Sequence, residues 1–375
     1  MKKKAIVAGH ICLDITPVFP GKAVRQLGEI LAPGKLIQMG EADVHTGGAV
    51  ANTGLAMQLL GSDVTLMGKV GKDAFGDMVL SILSKYGADR GMIVSDQEAT
   101  SYSVILAVPG VDRIFLHNPG ANHSFCSADI PQAHLEEAAL IHFGYPPLMR
   151  AIYENNGGEL VKIMKAAKEA EAATSLDLAA VDPDSEAGRA DWKEILKNVL
   201  PYVDFFVPSV EELCYMLDRE RFEEWQKRAE GRDITEILDI EKDVKPLADR
   251  CMELGARILL LKCGAPGMYY RSGSPEALGQ VGKKAGIDIA AWADREGFER
   301  SYVPERILSG TGAGDTSIAA FLAAMLKGYS MEAAVGLAAA EGASCVAAYD
   351  ALSGLKSLEE LEEKIRGGWA KTGDQ

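Results

Sequence analysis

Ser309-Gly310-Thr311-Gly312-Ala313-Gly314-Asp315 runs directly into Thr316-Ser317-Ile318-Ala319-Ala320-Phe321-Leu322 near the C-terminal end of the chain. Three glycines in five positions let the backbone turn sharply and approach a ligand, because no Cβ stands in the way. The apolar run behind them predicts a buried helix. The unpaired N–H groups at the start of such a helix aim at one spot, which attracts an anion, typically a phosphate. Asp315 stands where loop becomes helix. A carboxylate there would normally be repelled by a bound phosphate, and is useful if it takes a proton from a hydroxyl that attacks the phosphate. The plainer alternative is a helix N-cap, which Asp favours. The whole Gly-Thr-Gly-Ala-Gly-Asp run tips the balance toward chemistry. It is not a dinucleotide fingerprint, which needs G-x-G-x-x-G after an early strand, and no G-x-x-x-x-G-K-[ST] run occurs.

The rest of the chain bounds the setting. Its 375 residues suit one large α/β domain with an elaboration, or two domains. A net charge of −15, from 39 basic and 54 acidic residues, argues against nucleic acid or an anionic membrane as main partner. The six cysteines form no C-x-x-C pair, so neither a zinc site nor a disulfide framework is suggested. Free thiols in a reducing cytoplasm are the simplest account. The apolar run after Met1-Lys2-Lys3-Lys4 is too short for a signal peptide and reads as a first buried strand. No stretch approaches the roughly 20 apolar residues of a membrane span. A cytoplasmic location is expected.

Strand and helix signals alternate along most of the sequence. Lys4 to Leu13, Val64 to Val70, Ala139 to Phe143, Thr174 to Leu178, Val203 to Val207 and Arg257 to Lys262 read as strands. Gly47-Gly48 opens a helix through Leu60. Phe75, Met78, Val79, Ile82, Leu83 and Tyr86 have helical spacing up to Gly87, and Glu159 to Ala173 is another helix. Such alternation implies parallel βαβ units covered on both faces. Ser101 to Val108 and Arg113 to His117 look like short strands around a Pro109-Gly110 turn. With residues 14 to 46, they are expected to form an antiparallel flap over one end of the α/β body. Residues 219 to 247 are highly charged and predict a helical surface insertion. Leu355 to Gln375 predicts an acidic amphipathic helix that then frays.

At this level the chain resembles the ribokinase-like (PfkB-type) carbohydrate kinases over nearly its whole length. Ser309 to Leu322 is close to that family's C-terminal signature, D-T-T-G-A-G-D followed by small and apolar residues. Gly47-Gly48-Ala49-Val50-Ala51-Asn52 resembles its N-terminal G-G-A-P-A-N signature, and Gly71-Lys72-Asp73-Ala74-Phe75-Gly76 its usual continuation. Two matches in the right order are far more specific than either alone. The resemblance implies a three-layer α/β/α domain with a mainly parallel central sheet and a small β-sheet lid. Residues 1–13, 47–97 and 124–375 would form the kinase core, and 14–46 and 98–123 the lid over the acceptor.

The resemblance also assigns roles. Asp315 would be the base, and the N–H groups of Gly312, Ala313 and Gly314 the anion hole for the transferring phosphoryl. Asp14, Gly47, Gly48 and Asn52 would form the acceptor site, where a carboxylate and an amide suit adjacent sugar hydroxyls. Lys262, Gly264, Gly267 and Thr311 would serve the nucleotide, Lys262 standing where Thr is common. Residues near Ala343 to Gly354 fall where the family seats adenine. Glu212, in Pro208-Ser209-Val210-Glu211-Glu212, aligns with the acid of an N-x-x-E element that holds magnesium through water. Glu212 also reads as an ordinary acid in a first helical turn. ATP and Mg2+ are the implied cofactors. Ser309 replaces the Asp that helps several relatives bind a monovalent cation, which puts potassium activation in doubt. Arg113 or Lys35 would contact a substrate phosphate if the acceptor is a sugar phosphate. Phe115 and His117 in the flap read equally as alternation on a half-buried strand. Family lids often pair, so a homodimer through the lid is an expectation. The implied activity is phosphorylation of a small sugar or sugar-like hydroxyl. A nucleoside kinase of the same family and a non-catalytic sugar- or nucleotide-binding regulator stand as alternatives.

Overall fold

The structure is a computed structural model that describes residues 2–374 except positions 20, 22, 25, 112 and 113. Eight strands form its main sheet: β1 (Lys4–Gly9), β4 (Asp63–Met67), β9 (Leu140–Gly144), β10 (Ala173–Leu176), β11 (Phe205–Phe206), β12 (Ile258–Lys262), β13 (Gly267–Ser272) and β14 (Glu296–Arg300). Their order is β14-β13-β12-β11-β10-β9-β1-β4. All neighbours from β4 to β12 are parallel, and β13 and β14 add antiparallel to that edge. Alternate residues enter opposite apolar layers. Ala5, Val7, Ile258 and Leu260 join one core, and Ile6, Ala8, Leu259 and Leu261 the other. Burial on both faces is why these strands read as continuous apolar runs.

A second sheet joins β2 (Cys12–Pro17), β3 (Ala42–Gly47), β7 (Tyr102–Leu106) and β8 (Ile114–Asn118) in the order β3-β2-β7-β8. The expected flap was wholly antiparallel, but β2 pairs with β7 in parallel. The chain crosses back through the core between them, which is what a parallel pair requires. The single strand expected at 64–70 is split at Gly68. Its second half, β5 (Lys69–Gly71), pairs with β6 (Ile93–Ser95).

Five helices matter for the site: α1 (Ala49–Leu59), α2 (Ala74–Ser84), α3 (Val210–Leu217), α4 (Ala313–Lys327) and α5 (Met331–Cys345). Residues of α4 are buried without a break from Asp315 to Leu326, between α1 and α5. A helix apolar all round belongs in the core. The helix expected from Glu159 begins at Arg150, with a break at Glu154–Gly157. The charged 219–247 segment is helical but is not confined to the surface. Trp225 is fully buried and donates to Asp243, which also takes two bonds from Arg228. The tail beyond Arg366 packs back: the rings of Trp369 and Tyr302 lie 4.8 Å apart, and Lys371 bonds Glu299.

Candidate active site

The strand order reverses at β1, with β4 on one side and β9 on the other. Ligands of open α/β sheets bind beyond the carboxyl ends of the strands at such a point. The residues that follow those ends are His10 after β1, Tyr145 after β9, Asp177 after β10, Ser209 after β11 and the terminal Lys262 of β12. They surround the start of α4.

Gly312 adopts a left-handed conformation at φ 76° and opens α4, and no side chain of the described residues caps this helix start. The amides of Gly314 and Asp315 therefore lead the helix without a side-chain partner at the cap. Lys262 lies beside the loop, because a Cβ on Gly314 would sit 3.5 Å from its Nζ. That Nζ donates to Asp177 Oδ1 at 2.9 Å. Burial works against the charge of Lys262, but the Asp177, Glu212 and Asp315 carboxylates outweigh it and raise its pKa.

Asp315 is almost fully buried. Its Oδ2 accepts from Asn52 Nδ2 at 2.9 Å and its Oδ1 from Thr53 Oγ1 at 3.2 Å. The Tyr145 hydroxyl lies within hydrogen-bonding distance of both oxygens. Asn52, expected to face the acceptor, thus also orients Asp315. Thr53, Tyr145, Asp177 and His10 were not singled out from the sequence. Their signal is position just beyond parallel strands or one residue past a named motif.

Two cavities adjoin here. One, of about 860 Å³, is lined by His10, Asp14, Gly48, Asn52, His117 and Thr311, among others. The other, of about 710 Å³, is lined by Lys262, Gly264, Gly267, Ala313, Gly314 and Ala343, among others. Tyr145, Glu212, Gly310, Gly312 and Asp315 line both. Thr311, expected on the nucleotide side, lines the first. Glu212 accepts from the Ser209 N–H at 3.1 Å, a capping contact, and still borders both cavities.

The double glycine is required sterically. Gly48 has φ 85°, and a Cβ there would meet His10 Nδ1 and the His10 carbonyl, while a Cβ on Gly47 would strike the Asp14 carboxylate. Asp14 accepts from the Cys12 thiol at 3.2 Å, and burial raises its pKa. Burial keeps His10 and His117 neutral, His117 falling to about 4. Lys35 is exposed on the segment before β3, and Arg113 lies outside the described residues.

Among the described residues no group of three metal-ligating side chains is assembled, and no helix is long and apolar enough to cross a membrane.

The doubly covered, mainly parallel sheet with a smaller second sheet has the ribokinase fold. The family model for pfkB family carbohydrate kinases matches residues 11–357. The chain belongs to that family and is a carbohydrate kinase. It is 24% identical over 301 residues to an uncharacterised sugar kinase of Archaeoglobus fulgidus, covering 80% of this chain and 98% of that one. It is also 24% identical to the 2-dehydro-3-deoxygluconokinase of Bacillus subtilis over 319 residues, 84% of each chain. Among solved structures, a putative ribokinase II from E. coli in complex with ATP and Mg2+ aligns with a TM-score of 0.71 and 20% identity, over 97% of this chain and 99% of that one. Arabidopsis thaliana ribokinase complexed with ribose and ATP aligns with a TM-score of 0.70 and 18% identity, over 98% and 99%.

Proposed function

We propose that this protein transfers the γ-phosphoryl group of ATP to a hydroxyl of a small sugar or sugar-like acceptor, with Asp315 as base. The observation that carries the reading is the meeting of two cavities at Asp315 and Gly312. A base must touch the acceptor, and an anion hole must touch the phosphoryl, so both belong on the shared wall. The acceptor binds on the Asp14, Gly48 and Asn52 side under the second sheet. The nucleotide binds along Lys262, Gly264 and Gly267.

As the acceptor oxygen attacks the γ-phosphorus, its proton passes to the Asp315 carboxylate and the bond to the ADP oxygen breaks. The helix-start amides of Gly312 and Gly314 and the Lys262 ammonium face the charge on the moving phosphoryl, whereas the Ala313 N–H, expected in the anion hole, donates to the Gly310 carbonyl at 3.4 Å. The acidic groups present suit magnesium, which is commonly held by one or two carboxylates, waters and the substrate's phosphates. Glu212 would hold it through water, and it would supply neutralisation of phosphate charge. ATP and Mg2+ in the E. coli relative support this nucleotide and ion.

The test is ADP release with ATP and Mg2+ over hexoses, pentoses, sugar acids, sugar phosphates and nucleosides, with and without potassium. The D315N variant should retain ligand binding and lose at least about a hundredfold in kcat. Turnover at the wild-type rate in D315N would sink the assignment of the base.

A further inference from the structure

The Tyr145 hydroxyl lies 2.9 Å from Asp315 Oδ1 and 2.8 Å from Oδ2. An ionised carboxylate offers about four lone-pair sites. Asn52 fills one on Oδ2 and Thr53 one on Oδ1. Tyr145 has a single hydrogen for the two that remain. It fills one, on either oxygen, and leaves the other open to receive a proton.

The backbone points to a deliberate placement. Tyr145 has φ 66° and ψ 46°, a left-handed conformation uncommon for a bulky non-glycine residue, and it precedes Pro146, which further restricts it. Such strain persists where surroundings over-determine it, and it clusters at functional sites. Here the ring is stacked on His10 at 6.0 Å between centroids, and the Tyr145 carbonyl accepts from the Leu148 N–H at 3.0 Å. Burial, then the Asp315 charge, pushes the phenol pKa well above its ordinary value, so the hydroxyl keeps its proton and donates.

Resting on the reading of Asp315 as base, we infer that Tyr145 is a positioning residue that holds the Asp315 carboxylate and keeps water off it. The shared wall between the cavities is where a misplaced water does most harm. A water in the place of the phenol oxygen would give its proton to Asp315 while its oxygen attacked the γ-phosphorus. The bond to the ADP oxygen would break, yielding ADP and inorganic phosphate with no sugar phosphate. The phenol fills that place with a bulky group held by its ring, and leaves one lone pair for the acceptor.

The experiment uses the full-length chain with ATP and Mg2+ alone, so no acceptor need be known. Tyr145→Phe keeps the ring and removes the hydroxyl. Acceptor-free ADP release should rise about tenfold over wild type, a barrier lower by about 1.4 kcal/mol. The rise should vanish in the Tyr145→Phe, Asp315→Asn double variant. A urea double-mutant cycle over the same positions, without nucleotide, should give about a tenfold coupling in the unfolding constant. A wild-type rate of acceptor-free release in Tyr145→Phe, a rise that survives the loss of Asp315, or zero coupling would each overturn the inference. The two readings separate. If Asp315→Asn turns over normally on an acceptor, the base itself is misassigned. If Asp315→Asn is dead and Tyr145→Phe shows no rise in acceptor-free ADP release, only the role of Tyr145 falls.

Discussion

Glu341 lies in α5 with no exposed surface. Its Oε1 accepts from the Lys356 N–H at 3.1 Å, and its Oε2 has no hydrogen-bond partner among the described residues. Burial raises its pKa from the usual 4.5 to about 8, with the Lys356 contact only partly offsetting it. The folded state thus holds this proton more tightly than the unfolded chain. Between about pH 4.5 and 8 the folded state binds more protons, so stability falls as pH rises through that window. At about 1.4 kcal/mol per pH unit, the span from 4.5 to about 8 amounts to about 5 kcal/mol, fully expressed only above pH 8. Glu341→Gln keeps the shape and an acceptor for Lys356 but has no charge to desolvate. The variant should match wild type near pH 4 and gain stability steadily toward pH 9. Urea unfolding of both proteins across that range measures the difference, in which other titrating groups cancel. A difference that stays flat with pH would refute the reasoning.

Three further outcomes follow from the same geometry. Gly48→Ala sets a Cβ at φ 85° against His10, so it should cost about 2 kcal/mol or more and lower the melting temperature by several degrees. Lys262→Met removes the partner of buried Asp177, so the variant should lose about 3 kcal/mol in denaturant unfolding. The same variant should weaken ATP binding by calorimetry, since the ammonium beside Gly314 is gone. Trp225→Phe removes the donor to Asp243 and leaves part of the buried indole's space unfilled, and should cost about 2 kcal/mol or more by thermal unfolding.

Much of the site was legible because glycine is informative. Gly47-Gly48 and the 310–314 loop mark places where backbone must pass close to something, and the apolar run after Asp315 marks a core helix. Lys262 was legible as a departure from a motif, but its partner Asp177 was not. Asp177 sits in an unremarkable Leu-Asp-Leu stretch, and only the register of β10 beside β9 and β11 brings it to the loop. Tyr145 was hidden more deeply. Neither its left-handed backbone nor its reach to Asp315, 170 positions away, leaves a mark in Gly-Tyr-Pro-Pro.

Local spacing alone determined most of the strand and helix alternation, the glycine loop and the carboxylate at its end. Those features depend on steric freedom and periodicity within a few residues. Tertiary structure decided which cavity each motif borders, and it closed Asn52, Thr53 and Tyr145 around Asp315. It also made the second sheet mixed rather than antiparallel and folded the tail onto Tyr302. These outcomes depend on strand order and on contacts between distant segments. The glycine loop therefore marks a close backbone approach by itself, while the company its carboxylate keeps is set by the fold.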